Sequence, residues 1–179
     1  DFSDVRQKLQ QQEQMKQQDQ IQDKPNDETA ADRNFSDAVI AFERGDYAAA
    51  ALKFRVAMVL EPKDVILPFA YAQALFAKGD YAAAAGTLRS VLISITKPIQ
   101  TGSQKDEGQE TVYYPRGLYK KEEALKQQIA ALAARAAANP DDTDLQLLLG
   151  YQLLGSGQAE QALTPLGQAA KDPSNSDPV

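Results

Sequence analysis

Ala41-Phe42-Glu43-Arg44-Gly45-Asp46-Tyr47-Ala48-Ala49-Ala50-Ala51 returns as Leu75-Phe76-Ala77-Lys78-Gly79-Asp80-Tyr81-Ala82-Ala83-Ala84-Ala85, with Gly79 placed 34 residues after Gly45. Each copy reads as the end of one helix, a turn at Gly and the start of an Ala-rich second helix, because Gly takes the left-handed conformation that closes a helix without Cβ strain. A period of this size marks helical hairpins that bury their apolar stripes only by stacking on neighbours. The small residues Ala38, Ala50, Ala72, Ala84 and Ala162 then mark close helix crossings, and Tyr47, Phe54, Tyr81 and Leu88 fill the wider gaps between hairpins.

Working outward, the first unit covers residues 31–64 and closes at Pro62, and the second covers 65–98 with its closing Pro displaced to Pro98. A third copy places Gly150, Leu153, Gly157, Ala162, Leu166 and Ala169 at the corresponding positions, with Ala159 in place of the turn Tyr and Pro173 at its end. Gly157 follows Gly79 by 78 residues and Pro140 follows Pro62 by the same 78, which leaves room for one degenerate unit with an insertion. Residues 120–138 carry the stripe Leu125, Ile129 and Leu132 among alanines that permit close packing, and read as the lone second helix of that unit. Residues 97–119 hold Thr101-Gly102-Ser103, Glu107-Gly108 and Tyr113-Tyr114-Pro115-Arg116-Gly117, a loop composition. The chain thus divides into a Gln-rich segment 1–33, two units over 34–98, an irregular Tyr-containing insertion 99–119, the lone helix 120–140, a C-terminal unit 141–173 and a tail 174–179.

Of the sixteen residues 7–22, nine are Gln, a fair helix former, so a solvated helix is one reading of the first segment and a flexible chain the other. Its residues Phe2, Val5 and Leu9 follow an i, i+3, i+7 spacing, while Met15 and Ile21 fall off that face, so the amphipathic stripe is brief. Asp23-Lys24-Pro25-Asn26-Asp27 reads as a break.

The 34-residue period with Gly-Asp-Tyr-x-x-Ala at its turn resembles the tetratricopeptide repeat family. The family's positions fall on Ala38, Gly45, Tyr47, Ala50, Phe54, Ala57 and Pro62 in the first unit, and on Ala72, Gly79, Tyr81, Ala84, Leu88 and Val91 in the second. The resemblance implies an all-α fold, a right-handed α-solenoid of stacked helix–turn–helix hairpins with one degenerate repeat and a loop insertion. It also implies a concave groove that holds peptide segments, lined here by Phe35, Val39, Phe42, Phe69, Gln73, Phe76, Leu147, Tyr151 and Leu154. That surface is apolar, suited to an amphipathic helix or hydrophobic peptide. Family members that clamp a C-terminal carboxylate use Lys, Arg and Asn at such places, and Gln73 is the single approximation here, which disfavours that mode. Two readings stand for these side chains: an open groove, or a face covered by the chain's own loop or N-terminal segment. The same pair applies to Tyr113, Tyr114, Arg116 and Tyr119, whose composition is that of an interface and which equally serve to replace a missing helix by packing on its neighbours.

Composition removes much chemistry. The chain of 179 residues has no Cys, His or Trp, so Cys nucleophiles, imidazole bases and Zn sites built on Cys or His are excluded. A net charge of −6 argues against broad electrostatic attraction to nucleic acid or an anionic membrane, both of which need a basic face. The carboxylates of 141–144 lack the central Gly and distal Glu of a Ca²⁺ loop and read as a helix N-cap. Gly155-Ser156-Gly157 has no Lys-Ser/Thr after it and is no phosphate loop. The expectation is a non-catalytic scaffold without metal or cofactor, whose partner is a protein or peptide, with no nucleic acid and no membrane insertion. The alternative is a structural module of the bacterial cell envelope that self-associates, as a homodimer, through the Gln-rich segment. An exported bacterial protein, periplasmic or secreted, is expected from the non-Met start and lack of Cys, with the cytoplasm as the alternative.

Overall fold

The computed structural model describes residues 29–96 and 112–173, and the readings of the Gln-rich stretch, of 97–111 and of the tail lie outside them. The described residues are all-helical: α1 (Ala30–Glu43), α2 (Tyr47–Leu60), α3 (Leu67–Lys78), α4 (Tyr81–Thr96), α5 (Glu122–Ala138), α6 (Thr143–Gly155) and α7 (Ala159–Ala169), with a short 3-10 turn at Arg116–Leu118. α1 starts ahead of the boundary placed at 34, because Thr29 and Asp32 form a reciprocal capping box, with Asp32 N–H donating to Thr29 Oγ1 at 3.1 Å and Thr29 N–H to Asp32 Oδ2 at 3.0 Å. This brings Ala31 into the core.

One turn occurs three times. Gly45, Gly79 and Gly157 have φ of 80, 87 and 76°. After each, the next N–H donates to a carbonyl five residues back, Asp46 to Ala41, Asp80 to Leu75 and Gln158 to Leu153, all at 2.9 Å. That is the Schellman closure of a helix, and the pairs α1/α2, α3/α4 and α6/α7 are its antiparallel hairpins. Ala38, Ala50, Ala84 and Ala162 sit at the crossings with no exposed surface, and Phe54 and Leu88 fill the gaps likewise.

The hairpins pack in sequence, α2 on α3 and α4 on α6, with Arg89 of α4 ion-paired to Asp144 of α6. The third hairpin therefore follows the second directly. Residues 120–140 do not form a layer between them, as the 78-residue spacing suggests; α5 instead lies across α3 and α6 on the side that carries Gln73 and Gln152. The reason is its narrow stripe. α5 buries Leu125, Ile129, Leu132 and Ala136 alone, enough for one contact face, whereas α6 buries every residue from Leu145 to Leu153 and so needs neighbours all round. Asp142 caps α6 through Asp144 N–H and Leu145 N–H, both at 3.1 Å, which accounts for the acidic cluster there.

Two glycines of one hairpin separate backbone need from helix propensity. Gly79→Ala forces φ of 87° on an L side chain and is expected to cost about 1 kcal/mol. Gly86→Ala, inside α4 with nothing within 4 Å of the new Cβ, is expected to gain about 0.5–1 kcal/mol. Urea unfolding of the two variants in parallel reads both signs.

Candidate functional site

The inner face of the stack is built by α1, α3 and α6, and residues 112–119 lie along it as a strap. Tyr119 meets Phe42 edge to face at 4.9 Å between centroids, Tyr113 reaches Phe69 at 6.5 Å, and Tyr114 stacks on Tyr151 at 4.9 Å. Phe69 in turn stacks on Tyr151 at 6.2 Å, so one aromatic row joins α3, α6 and the strap. Gly155 admits this row, since a Cβ there would lie 2.7 Å from the Tyr114 ring.

A buried polar network runs beneath the rings. Gln73 and Gln152 exchange amide hydrogen bonds at 3.3 and 3.0 Å, Gln73 Nε2 also donates to Tyr119 Oη at 2.9 Å, and Tyr119 Oη donates to Gln128 Oε1 of α5 at 2.6 Å. Tyr151 Oη donates to the carbonyl of Tyr113. Among the described residues every buried side-chain nitrogen and oxygen has a hydrogen-bond partner. At the strap's end Lys120 Nζ bonds Glu43 of α1 at 2.7 Å.

The residues read as a groove therefore divide. Phe42, Phe69, Gln73, Phe76, Leu147 and Tyr151 are buried, Val39 is half-buried, and Phe35 and Leu154 keep 37% of their surface. Of the two readings, these burials accord with the covered face: the strap and α5 lie over it and add partners to those that α6 supplies through Gln152 and Tyr151. Phe35 packs its ring on Phe54 at 5.7 Å, away from the strap. Of the loop residues, Tyr114 and Tyr119 point inward, while Tyr113 is 40% exposed and Arg116 is exposed, 3.8 Å from Glu122. The sequence analysis does not point to Gln128 or Gln152; the signal for Gln152 is that it and Gln146 are the two amides within the otherwise apolar run 145–154.

Beside the strap a cleft of about 550 Å³ remains open between α5 and the α6–α7 turn. Leu125, Ile129, Ala133 and Leu153 form its floor, and Arg116, Glu122, Lys126, Gln158 and Gln161 its walls. From Glu122 to Ala133 the wall runs about 16 Å at the helical rise. Glu122 lies 3.7 Å from Lys126, which leaves the charges at this end paired. Among the described residues no three His, Cys, Asp or Glu side chains converge as metal ligands, and no helix is long and apolar enough to cross a membrane. No family model, curated protein or solved structure matches the chain.

Burial pushes the phenols of Tyr151 and Tyr119 well above their ordinary 10.0, with the neighbouring Tyr114 adding to the first and the Gln73 hydrogen bond opposing the second. Above pH 10 the unfolded chain releases these protons and the folded chain keeps them, so stability falls as pH rises past that value. Absorbance titration at alkaline pH is expected to show these two phenolates appearing only with loss of helicity, and Tyr151→Phe to reduce the alkaline loss. Gln73→Leu is expected to cost about 1–3 kcal/mol by stranding Gln152, and Gln73→Leu with Gln152→Leu less than the sum of the single changes, measured by urea unfolding.

Proposed function

We propose that the chain is a non-catalytic protein-interaction scaffold, an α-solenoid of tetratricopeptide-like hairpins that binds a short peptide or helix of a partner protein. Three superposable Gly turns and hairpins that stack in order support the solenoid part of this reading. So does the hydrogen-bonded amide network of Gln73, Gln152, Tyr119 and Gln128, which ties α3, α5, α6 and the strap together.

The observation that carries the binding part is the cleft between α5 and the α6–α7 turn. It has the apolar floor and polar rim of a peptide site, and among the described residues it stays open beside the strap. The strap then acts as the wall that turns a broad concave surface into a narrow slot. About 16 Å accommodates three turns of helix or five residues of strand. The occupant presents apolar side chains to Leu125, Ile129 and Leu153 and uncharged polar groups to Ser156, Gln158 and Gln161.

Ala130 and Gln161 line the cleft and are exposed, so Arg at either position blocks it without entering the core. Peptides selected by the intact chain from a random displayed library are expected to lose at least about tenfold in affinity, roughly 1.4 kcal/mol, on Ala130→Arg with Gln161→Arg, at unchanged helicity. Failure to select peptides, or selected peptides indifferent to both changes, overturns the assignment.

A further inference from the structure

The two clear units of the stack differ where their second helices face outward. On α2, Leu52, Val56 and Leu60 recur at i, i+4, i+8 with 56, 42 and 47% of their surfaces exposed, and Val59 beside them keeps 71%. Thirty-four residues later the same positions on α4 hold Gly86, Ser90 and Ser94, and the two serines bond back to the carbonyls of Gly86 and Ser90 at 2.9 and 2.8 Å. The hairpin itself thus has no need of an apolar stripe there. A helix apolar on all sides is a covered helix, and the terminal layer of a stack otherwise presents polar groups to water.

The stripe continues onto α1. Lys53 of α2 bonds Asp37 of α1 at 3.0 Å, and this antiparallel pairing puts Arg33 of α1 about level with Val56 and Ile40 about level with Leu52. Ile40 is 45% exposed. Arg33, Arg44 and Arg55 are exposed on or at the end of the same two helices.

We propose that the patch formed by Ile40, Leu52, Val56 and Leu60 is the docking site of the chain's own residues 2–9, held by Phe2, Val5 and Leu9. Two features select this occupant. The antiparallel pairing of Asp37 with Lys53 puts Leu60 alongside the start of α1, and Thr29, where the preceding segment joins, is at that corner. The stripes match in length: a helical run from Phe2 to Leu9 is about 10 Å and that from Leu52 to Leu60 about 12 Å. Even with Val59, a patch of five side chains is small for a stable dimer, which buries about 1,200–2,000 Å² in total, and suits an intramolecular segment whose tether supplies a high effective concentration.

The test is a double-mutant cycle in the full chain. One variant carries Phe2→Ser, Val5→Ser and Leu9→Ser, a second Leu52→Ser, Val56→Ser and Leu60→Ser as on α4, and a third all six. Each triple variant is expected to lower the melting temperature by about 4–8 °C, and the sixfold variant little further. Hydrogen exchange is expected to show amide protection of residues 2–9 that the α2 changes abolish. Additive shifts, or an α2 variant as stable as the parent with 2–9 unprotected throughout, overturn the proposal. A molar mass by light scattering that doubles with concentration and reverts to monomer on the α2 changes also overturns it, assigning the patch to a second copy.

Discussion

A helix that is apolar on every side has to be covered on every side, and α3 is such a helix, with buried residues from Leu67 to Phe76 around its whole circumference. α2 and α4 cover two flanks by hairpin stacking. The remaining flank carries Phe69, Gln73 and Phe76, and it is satisfied by Tyr113 and Tyr119 of the strap together with Gln152 of α6. The strap, the path of α5 and the saturation of the amide network all follow from that one uncovered side. An amide such as Gln73 in that setting costs free energy unless each donor and acceptor is met, which is why the strap ends in a phenol and not in a further aliphatic residue.

The repeat was legible because its punctuation is local. A Gly in the left-handed region ends a helix whatever lies around it, so the turns at Gly45, Gly79 and Gly157 declare themselves in the sequence and recur in the fold. The place of α5 was not legible. Pro140 and Gly157 share one spacing to their counterparts, but a spacing fixes chain length and not which face a helix meets. The information was in the stripe, four buried positions on α5 against nine consecutive ones on α6. Counting how many sides of a helix need cover distinguishes a stacked helix from one laid across the stack.

Both halves of the inner face could be read as surfaces in search of a partner: the aromatic A-helix residues and the Tyr-rich insertion. That each is the other's partner is a contact across 46 residues between Tyr119 and Gln73 and across 79 between Gln73 and Gln152, beyond the reach of any local pattern. Gln73 shows the difficulty. Judged alone it is a weak substitute for a carboxylate-binding Asn, and only Gln152, Tyr119 and Gln128 reveal it as a buried structural amide.

The repeats themselves indicate where selection for something other than stacking acts. Positions facing the hairpin interior keep their size class between the first two units: Ala50 with Ala84, Phe54 with Leu88, Ala57 with Val91. Outward positions are free of that constraint, and Leu52, Val56 and Leu60 differ in kind from Gly86, Ser90 and Ser94. Apolar side chains in water confer no stacking energy and carry an association hazard, so their presence on one unit and absence from its twin marks a surface with work to do. The same comparison separates α5: its buried stripe serves the fold, while Ala130 and Ala133 beside it keep the cleft wide by adding no side chain beyond Cβ. In a stack of near-identical hairpins, function is carried by the departures from the repeat.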